Sequence, residues 1–185
     1  MIYPVVVYGS PILRKKSVEI DKDYPDLDKL IEDMYDTMYK ADGIGLAAPQ
    51  VGKNIRIFVV DATEMEEESE PDLKDFKKVF INPEIIETSG VEWPFNEGCL
   101  SLPNIREDVV RDEKVLLKYY DENFEHREEE YSGIKARIIL HEYDHLEGIL
   151  FIDHISLLRK RLLKGKLNSI IKGTMPDIKY KIKLP

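Results

Sequence analysis

Hydrophobic residues recur at steps of three and four in three segments of the chain, a spacing that places them on one face of an α-helix. The first segment predicts a helix over residues 24–41, and Gly43 and Gly45 are expected to stop this helix and open a loop. Its apolar stripe consists of Leu27, Leu30, Ile31, Met34, Tyr35 and Met38. Such a stripe is typical of a helix that packs one face on the core.

The second and third segments predict helices over residues 134–147 and 155–171. At the start of the second helix, the Ser132 hydroxyl can accept an orphan backbone N–H, and Gly148 suits the position just past the end. The third helix carries an apolar stripe among basic neighbours. The members of that stripe are Leu158, Leu162, Ile170 and Ile171.

Four shorter runs of β-branched and aromatic residues predict strands. The last two runs are joined by residues 121–123 and are expected to form a hairpin. Residues 65–78, rich in Glu and containing Pro71, are expected to form an exposed insertion. Strands that do not alternate regularly with helices indicate an α+β fold with antiparallel or mixed strands around a central helix and a further C-terminal helix. The strand runs are residues 55–60, 79–87, 115–120 and 124–131.

The size of the chain limits its domain organisation. It has 185 residues, 43% of them hydrophobic, which suffices for one core and is short for two domains. We therefore expect one domain over residues 1–185, ending in a basic helix and tail over about 155–185. No run approaches the roughly 18 consecutive apolar residues of a membrane span, and residues 1–7 lack the basic start of a signal peptide. These features favour a cytoplasmic protein without membrane contact.

Charge is distributed unevenly along the chain. The formal net charge is −9, which speaks against DNA binding or general nucleic-acid binding, because phosphate contacts need clustered Lys and Arg. From Arg159 onward, however, nine basic residues accompany one acidic residue, a net charge of +8 that leaves −17 for the remainder. This part of the chain alone could therefore contact an anionic partner.

Residues 141–145 read H-E-x-x-H within the second predicted helix. His141 and His145 lie one turn apart on the same helical face and can share one metal ion. Glu142 lies beside the first of them, where a carboxylate can take a proton from a water on the metal and pass it to a leaving amine. The motif also occurs by chance in acidic, helix-rich sequences. Two solvent-facing histidines therefore remain an alternative at this point.

A catalytic metal site needs a third protein ligand and an open fourth position. One metalloprotease class supplies a third histidine six residues after the motif, but Phe151 stands there. His154 would lie on the opposite face of a continued helix, and His126 falls in a Glu-rich hairpin, so both are expected to be ordinary surface or core residues. Cys99 is the single cysteine of the chain and lies 42 residues before His141.

Cys99 is expected at a strand end or turn, because Gly98 precedes it and Ser101 and Pro103 follow it. A thiolate and two imidazoles would make a Cys-His-His site with one open position. A lone cysteine is more often a small buried hydrophobe. A zinc peptidase of another class and a non-enzymatic metal-binding or protein-binding module are the competing interpretations.

Three separated segments resemble the motifs of the peptide deformylase family, in that family's order. Residues 43–50 (GIGLAAPQ) match G-x-G-x-A-A-x-Q, residues 97–101 (EGCLS) match E-G-C-L-S, and residues 141–145 (HEYDH) match H-E-x-D-H. Residues 9–14 are also similar to the family's opening segment. The resemblance covers about residues 1–165, and the segment after it has no close match.

The resemblance implies that the three candidate ligands bind the metal and that Glu142 is the general acid and base. It implies that the Gln50 side chain and the Leu100 backbone N–H stabilise the negative oxygen formed when water attacks a formamide. Glu97 and Arg111 resemble the family's structural ion pair beneath the cysteine. Leu140 departs from the family, which often has glutamine there, so a polar contact to the site can be missing or supplied elsewhere.

The substrate would be the N-formylmethionyl end of a nascent peptide, bound in an extended form along a glycine-containing segment. Ile134 and Ile138 precede His141 on the same helical face and could form the methionine pocket with Ile44 and Phe95, or could equally be ordinary core. The residues assigned to substrate binding are Gly43, Ile44, Gly45, Phe95, Glu97, Gly98, Arg106, Ile134 and Ile138.

The resemblance implies one Fe²⁺ per chain as the working ion, with Zn²⁺, Ni²⁺ or Co²⁺ as possible substitutes. The substrate is attached to a ribosome, and the basic C-terminal region is the only strongly positive part of the chain. One hypothesis is therefore a contact with ribosomal RNA through Arg159, Lys160, Arg161 and Lys164. The alternative is a solvated helix face without a partner.

Overall fold

The computed structural model describes residues 1–65 and 73–185, which form three α-helices and nine strands. The helices are α1 (Leu27–Lys40), α2 (Gly133–Leu146) and α3 (Leu157–Lys172). The first four strands are β1 (Val5–Val6), β2 (Gly45–Ala47), β3 (Ile57–Asp61) and β4 (Lys77–Ser89). They are followed by β5 (Trp93–Cys99), β6 (Leu102–Arg111), β7 (Lys114–Tyr120), β8 (His126–Ser132) and β9 (Ile182–Lys183). The expected α+β class is confirmed.

The main sheet has five antiparallel strands in the order β2-β3-β4-β7-β8. The hairpin expected between the third and fourth strand runs is present as β7 and β8. Its turn is closed by Asp121, whose carboxylate accepts backbone N–H groups from Asn123 and Glu125. Helix α2 packs across this sheet, so the H-E-x-x-H motif lies at the centre of the molecule.

Helix α1 confirms the first predicted helix, and most of its apolar stripe is buried. The expectation that Gly43 and Gly45 both lie in a loop is wrong for Gly45, which begins β2 and pairs with Val60. A three-residue strand that contains glycine carries too short a pattern to be recognised from the sequence. Its position matters, because β2 forms one edge of the main sheet.

The expected exposed insertion over residues 65–78 is wrong at Leu73 and Phe76, whereas Lys74, Asp75 and Lys77 are exposed. Leu73 and Phe76 are 2% and 3% exposed and belong to the core cluster that contains Phe80. These two apolar side chains provide enough buried surface to hold their part of the segment against the sheet. Residues 66–72 lie outside the described residues.

Strands β5 and β6 form a separate two-stranded antiparallel sheet that the hydrophobic pattern did not reveal. The buried positions of β6 include Glu107 and Arg111, so charged residues interrupt the expected alternation. The pairing shifts register between Gly98 and Cys99, and residues 100–101 form the turn to β6. This irregular turn presents Cys99 to α2.

Helix α2 confirms the second predicted helix. Ser132 is its N-cap residue, but the expected capping bond is wrong, since the Ser132 hydroxyl makes no such bond. Gly148 adopts φ +72° just past the helix, as expected. Its missing side chain also matters, because a Cβ there would lie 2.7 Å from the Arg14 carbonyl carbon.

Helix α3 confirms the third predicted helix, but its expected apolar stripe is wrong at three of its four positions. Leu158, Leu162 and Ile171 are 67%, 66% and 42% exposed. Of the four expected positions Ile170 is buried, and it is joined by Leu163, which the expected stripe did not include. Its C-terminal end is Gly173 with φ +66°. Among the described residues, no helix is both long and apolar enough to span a membrane.

The C-terminal tail, residues 174–185, returns across the molecule after α3. Its strand β9 pairs in parallel with β1, so that both ends of the chain lie together. Val5 N–H donates to the Lys181 carbonyl over 2.8 Å. The tail is therefore attached to the body of the protein.

Candidate active site and metal centre

The three candidate ligands meet where the end of β5 approaches α2. The Cys99 Sγ lies 3.2 Å from the His145 Nε2. The ligand atoms of Cys99, His141 and His145 all lie within 4.8 Å of one another. One soft sulfur and two imidazole nitrogens suit zinc or a divalent iron-group ion, so the residues present fit a metal site.

His141 is oriented by Glu97. The His141 Nδ1 lies 2.8 Å from Glu97 Oε2, which leaves the other ring nitrogen to face Cys99 and His145. Arg111 donates to both oxygens of Glu97 over 2.7 and 3.0 Å, and Arg137 adds a contact of 3.1 Å. The expected ion pair between Glu97 and Arg111 is thus present. Because both Glu97 oxygens are occupied in this way, the geometry favours an orienting role over direct contact with substrate.

The charges around the cysteine favour its thiolate. Burial alone would raise the pKa of Cys99, but His145 and His141 outweigh this effect and lower the pKa to about 5. The Cys99 and Glu97 anions in turn raise the pKa of His141 well above its ordinary value, against the effect of burial. A bound cation would replace the imidazole proton as the counter-charge of the thiolate.

Glu142 is buried beside the ligands, with 5% of its surface exposed. Within residues 1–65 and 73–185, its Oε2 has no hydrogen-bond partner. Burial raises the pKa of Glu142 to about 7, although the two histidines oppose the shift. The carboxylate fits only because Gly45 faces it, since a Cβ on Gly45 would lie 2.4 Å from Glu142 Oε1.

Gln50 is held on the other side of Cys99. Its Oε1 accepts the Ala47 backbone N–H over 2.8 Å, which directs the amide nitrogen toward the site. That nitrogen lies 3.2 Å from Ser101 Oγ and 3.5 Å from Cys99 Sγ. In the described part of the chain, the Leu100 backbone N–H has no hydrogen-bond acceptor. Two donors are therefore available beside Cys99.

A cleft of about 410 Å³ opens onto these groups. It is lined by ten residues that sequence reasoning assigned to the substrate or the oxyanion: Gly43, Ile44, Gly45, Gln50, Phe95, Glu97, Gly98, Leu100, Arg106 and Ile138. Glu142, the proposed general acid and base, also reaches it. Ile134 does not line this cleft and packs instead against the edge of the core cluster of the main sheet. One helical turn separates it from Ile138, which is enough to move it out of the cleft.

Sequence reasoning missed several residues near the site. Ser101 is fully buried and accepts the Gln50 amide, and Arg137 lies beneath Glu97. Asp177, Ile178 and Tyr180 of the C-terminal tail also line the cleft. The adjacent motif residues signalled Ser101, but nothing local in the sequence connects residues 177–180 with residue 100.

The remaining histidines lie outside the metal centre, as expected. His126 is exposed on the hairpin. His154 Nε2 lies 2.7 Å from Asp144 Oδ2, which also accepts Arg111. Leu140 is buried in the core and offers no polar contact to the site.

Comparison with known proteins identifies clear relatives. The sequence profile described as polypeptide deformylase matches residues 2–161. Peptide deformylase of Christiangramia forsetii is 53% identical, and the alignment covers 100% of this chain and 97% of the relative. That of Flavobacterium psychrophilum is 50% identical over 98% and 97% of the two chains.

Solved structures agree with these relatives. Peptide deformylase 1B of Arabidopsis thaliana, in complex with an inhibitor, superimposes with a TM-score of 0.81 at 39% identity, covering 92% of this chain and 91% of that one. A peptide deformylase of Legionella pneumophila gives a TM-score of 0.81 at 35% identity, covering 96% and 99%.

Proposed function

The chain belongs to the polypeptide deformylase family, and from that premise we propose which of its residues carry out the family's reaction. The reaction is the hydrolytic removal of the N-formyl group from the N-terminal methionine of new proteins, with release of formate. Family membership decides against a zinc peptidase of another class and against a non-enzymatic module. The observation that carries the assignment is the convergence of Cys99, His141 and His145 beside the cleft.

These three residues are proposed to hold one divalent metal ion, and the family is metal-dependent. Bound there, the ion would polarise the formyl carbonyl and lower the pKa of a water molecule. We propose Fe²⁺ as the working ion, with Zn²⁺, Ni²⁺ and Co²⁺ as substitutes, because a thiolate with two imidazoles accepts each of them. Glu97 keeps the His141 ring in the orientation that binding needs.

Glu142 is proposed as the general acid and base. A pKa of about 7 allows this carboxylate to accept a proton from water and return it to the departing amine at neutral pH. Its burial excludes competing solvent contacts. The close approach allowed by Gly45 holds the carboxylate beside β2, where the scissile formamide would lie.

Gln50 and Leu100 are proposed as the oxyanion donors. Attack of water on the formyl carbon places negative charge on the carbonyl oxygen, and fixed N–H donors stabilise that charge. The Gln50 amide is held in place by Ala47, so little reorganisation is needed during the reaction. The Leu100 N–H belongs to the irregular turn after Cys99.

The peptide is proposed to bind as an extra strand beside Gly43, Ile44 and Gly45, at the open edge of the main sheet. The methionine side chain would pack against Ile44, Phe95 and Ile138, all of which line the cleft. Gly98 and Arg106 would flank the end of the peptide that lies in the cleft. The Arg106 guanidinium is held in place by its hydrogen bonds to Asn96.

The residue roles are tested by measuring metal content and formate release on the same preparations. Cys99→Ser is expected to lose both, because it removes the thiolate ligand. Glu142→Ala is expected to keep the metal and lose turnover by about 100-fold or more, as for removal of a general acid and base. His126→Ala, an exposed histidine on the hairpin, is the matched control and should change neither. A Glu142→Ala protein with full turnover would contradict the assignment.

We propose further that the enzyme works in the cytoplasm and meets its substrate at the ribosome, using the basic surface of α3. Arg159 already pairs with Glu107 over two contacts of 2.8 Å, and Lys160 contacts the Asp153 carbonyl. Arg161 and Lys164 are therefore the better test. Neutralising both should weaken salt-dependent cosedimentation with ribosomes. Unchanged cosedimentation would contradict the proposal.

A further inference from the structure

We propose that the C-terminal tail, residues 174–185, forms a wall of the substrate cleft and that Tyr180 is a positioning residue for the oxyanion turn at Leu100. The tail lies beyond residues 2–161, which the family profile matches. The inference rests on the proposed role of the Leu100 N–H, and it concerns residues to which no role has been assigned above.

Tyr180 contacts the turn directly. Its hydroxyl donates to the Leu100 carbonyl oxygen over 2.7 Å. Burial raises the pKa of Tyr180, and the nearby Cys99 acts in the same direction, so the hydroxyl keeps its proton and remains a donor. The bond therefore holds the residue that provides the oxyanion N–H.

The turn has few other restraints, because it connects β5 and β6 at a register shift. Ser101 is held by two contacts, since its carbonyl accepts Tyr8 N–H over 2.8 Å and its hydroxyl accepts Gln50. Across the described residues, the Tyr180 hydroxyl is the hydrogen-bond partner of the Leu100 carbonyl. Removing it would free the Leu100 peptide groups to rotate, and a small misplacement of an oxyanion donor lowers the rate of reaction.

The tail is attached on both sides of Tyr180, so it can act as a fixed wall. On the N-terminal side of Tyr180, the Pro176 carbonyl accepts a hydrogen bond of 2.9 Å from Asn104 Nδ2. On the C-terminal side of Tyr180, β9 pairs with β1. Between these attachments, Ile178 is half-buried and lines the cleft. A bound peptide would contact this apolar side chain and gain affinity from its burial.

The two roles predict different kinetic effects. Tyr180→Phe removes one hydroxyl and keeps the ring, so kcat for formate release should fall about 5- to 10-fold, as for loss of one hydrogen bond, with KM within about twofold. Ile178→Ala should raise KM several-fold and leave kcat near the wild-type value. A tail that merely supports the fold would instead lower the melting temperature without this separation of kcat from KM.

Two control substitutions match these changes away from the cleft. Tyr39→Phe removes a hydroxyl of α1 that donates to Asp61 at the end of β3. Val91→Ala shortens a side chain that is 74% exposed. Both should leave kcat and KM unchanged.

The wall is also tested without turnover, by calorimetric binding of the product peptide Met-Ala-Ser to the metal-loaded protein. Ile178→Ala should weaken this binding several-fold. Equal affinity of wild type and Ile178→Ala would overturn the wall, and an unchanged kcat for Tyr180→Phe would overturn the positioning role. A wild-type protein that binds Met-Ala-Ser but releases no formate would instead contradict the proposed function, and the binding comparison would still decide the wall.

Discussion

The close contact between Gly45 and Glu142 leads to a sharp prediction for Gly45→Ala. A Cβ at this position would lie 2.4 Å from Oε1 of Glu142, 2.8 Å from its Cδ and 2.9 Å from its Cγ. Three atoms of one side chain would therefore be too close. Glu142 is 5% exposed, so its side chain has little room in which to move aside.

The displacement can be estimated from these distances. Cβ contacts under 3.0 Å are essentially never found, so Oε1 must retreat from 2.4 Å by about 0.6 Å or more. A misplacement near 1 Å can lower a rate by about 100-fold, because the catalytic group no longer reaches the reacting atoms. Overpacking by one methyl group also costs about 1–3 kcal/mol of stability.

We expect Gly45→Ala to remain folded with its metal bound, since the three atoms nearest the added Cβ all belong to Glu142 and none to a ligand, and to lose about 100-fold in kcat. The assay is formate release on samples of measured metal content. Gly165→Ala is the matched control, because a Cβ at this helical position meets nothing within 4 Å. It should keep full activity and gain up to about 1 kcal/mol of stability. A folded, metal-loaded Gly45→Ala protein with wild-type kcat would refute the reasoning.

Three further predictions concern stability, measured by urea unfolding. Glu97→Gln should cost about 3–5 kcal/mol, because it removes the buried negative charge that Arg111 and Arg137 share and leaves Arg111 with Asp144 alone. The exposed Glu84→Gln should cost less than about 1 kcal/mol, and equal costs would contradict this. Phe80→Ala should cost about 3–5 kcal/mol, since the ring is fully buried, and a cost below about 1 kcal/mol would contradict its place in the core. The pKa of Glu129 is lowered to about 2, because hydrogen bonds from two tyrosines and Lys78 outweigh burial. The stability that Glu129 contributes is therefore present above its unfolded pKa of about 4.5 and lost as pH falls toward 2. Since this side chain is 36% exposed, Glu129→Gln should cost only about 1 kcal/mol at pH 7 and nearly nothing at pH 2; a cost independent of pH would contradict the assignment.

The histidine pair of the candidate metal centre could be predicted from the sequence because its spacing is local. Two histidines one helical turn apart define a ligand pair, and Cys99 is the only thiol that could complete it. The long helices were also recognisable, because their periodicity extends over four turns. Cys99 and His141 are 42 residues apart in sequence, so their contact followed from the family's motifs and not from any local pattern.

Other features depend on contacts between distant parts of the chain. Strand β6 was missed because Glu107 and Arg111 occupy buried positions, where their partners Arg159 and Glu97 come from other elements. The exposed stripe on α3 was misassigned because periodicity identifies an apolar face without showing whether anything covers it. Tyr180 was missed because its contact with Leu100 joins residues 80 apart in the sequence, in a tail that is attached to the body through the pairing of β9 with β1.

The central claim is tested most directly by anaerobic turnover of formyl-Met-Ala-Ser by the Fe²⁺-loaded protein. We expect one formate to be released for each free amine formed, and no reaction with the acetylated form of the same peptide. No formate from a folded protein that holds one metal ion per chain would contradict the account.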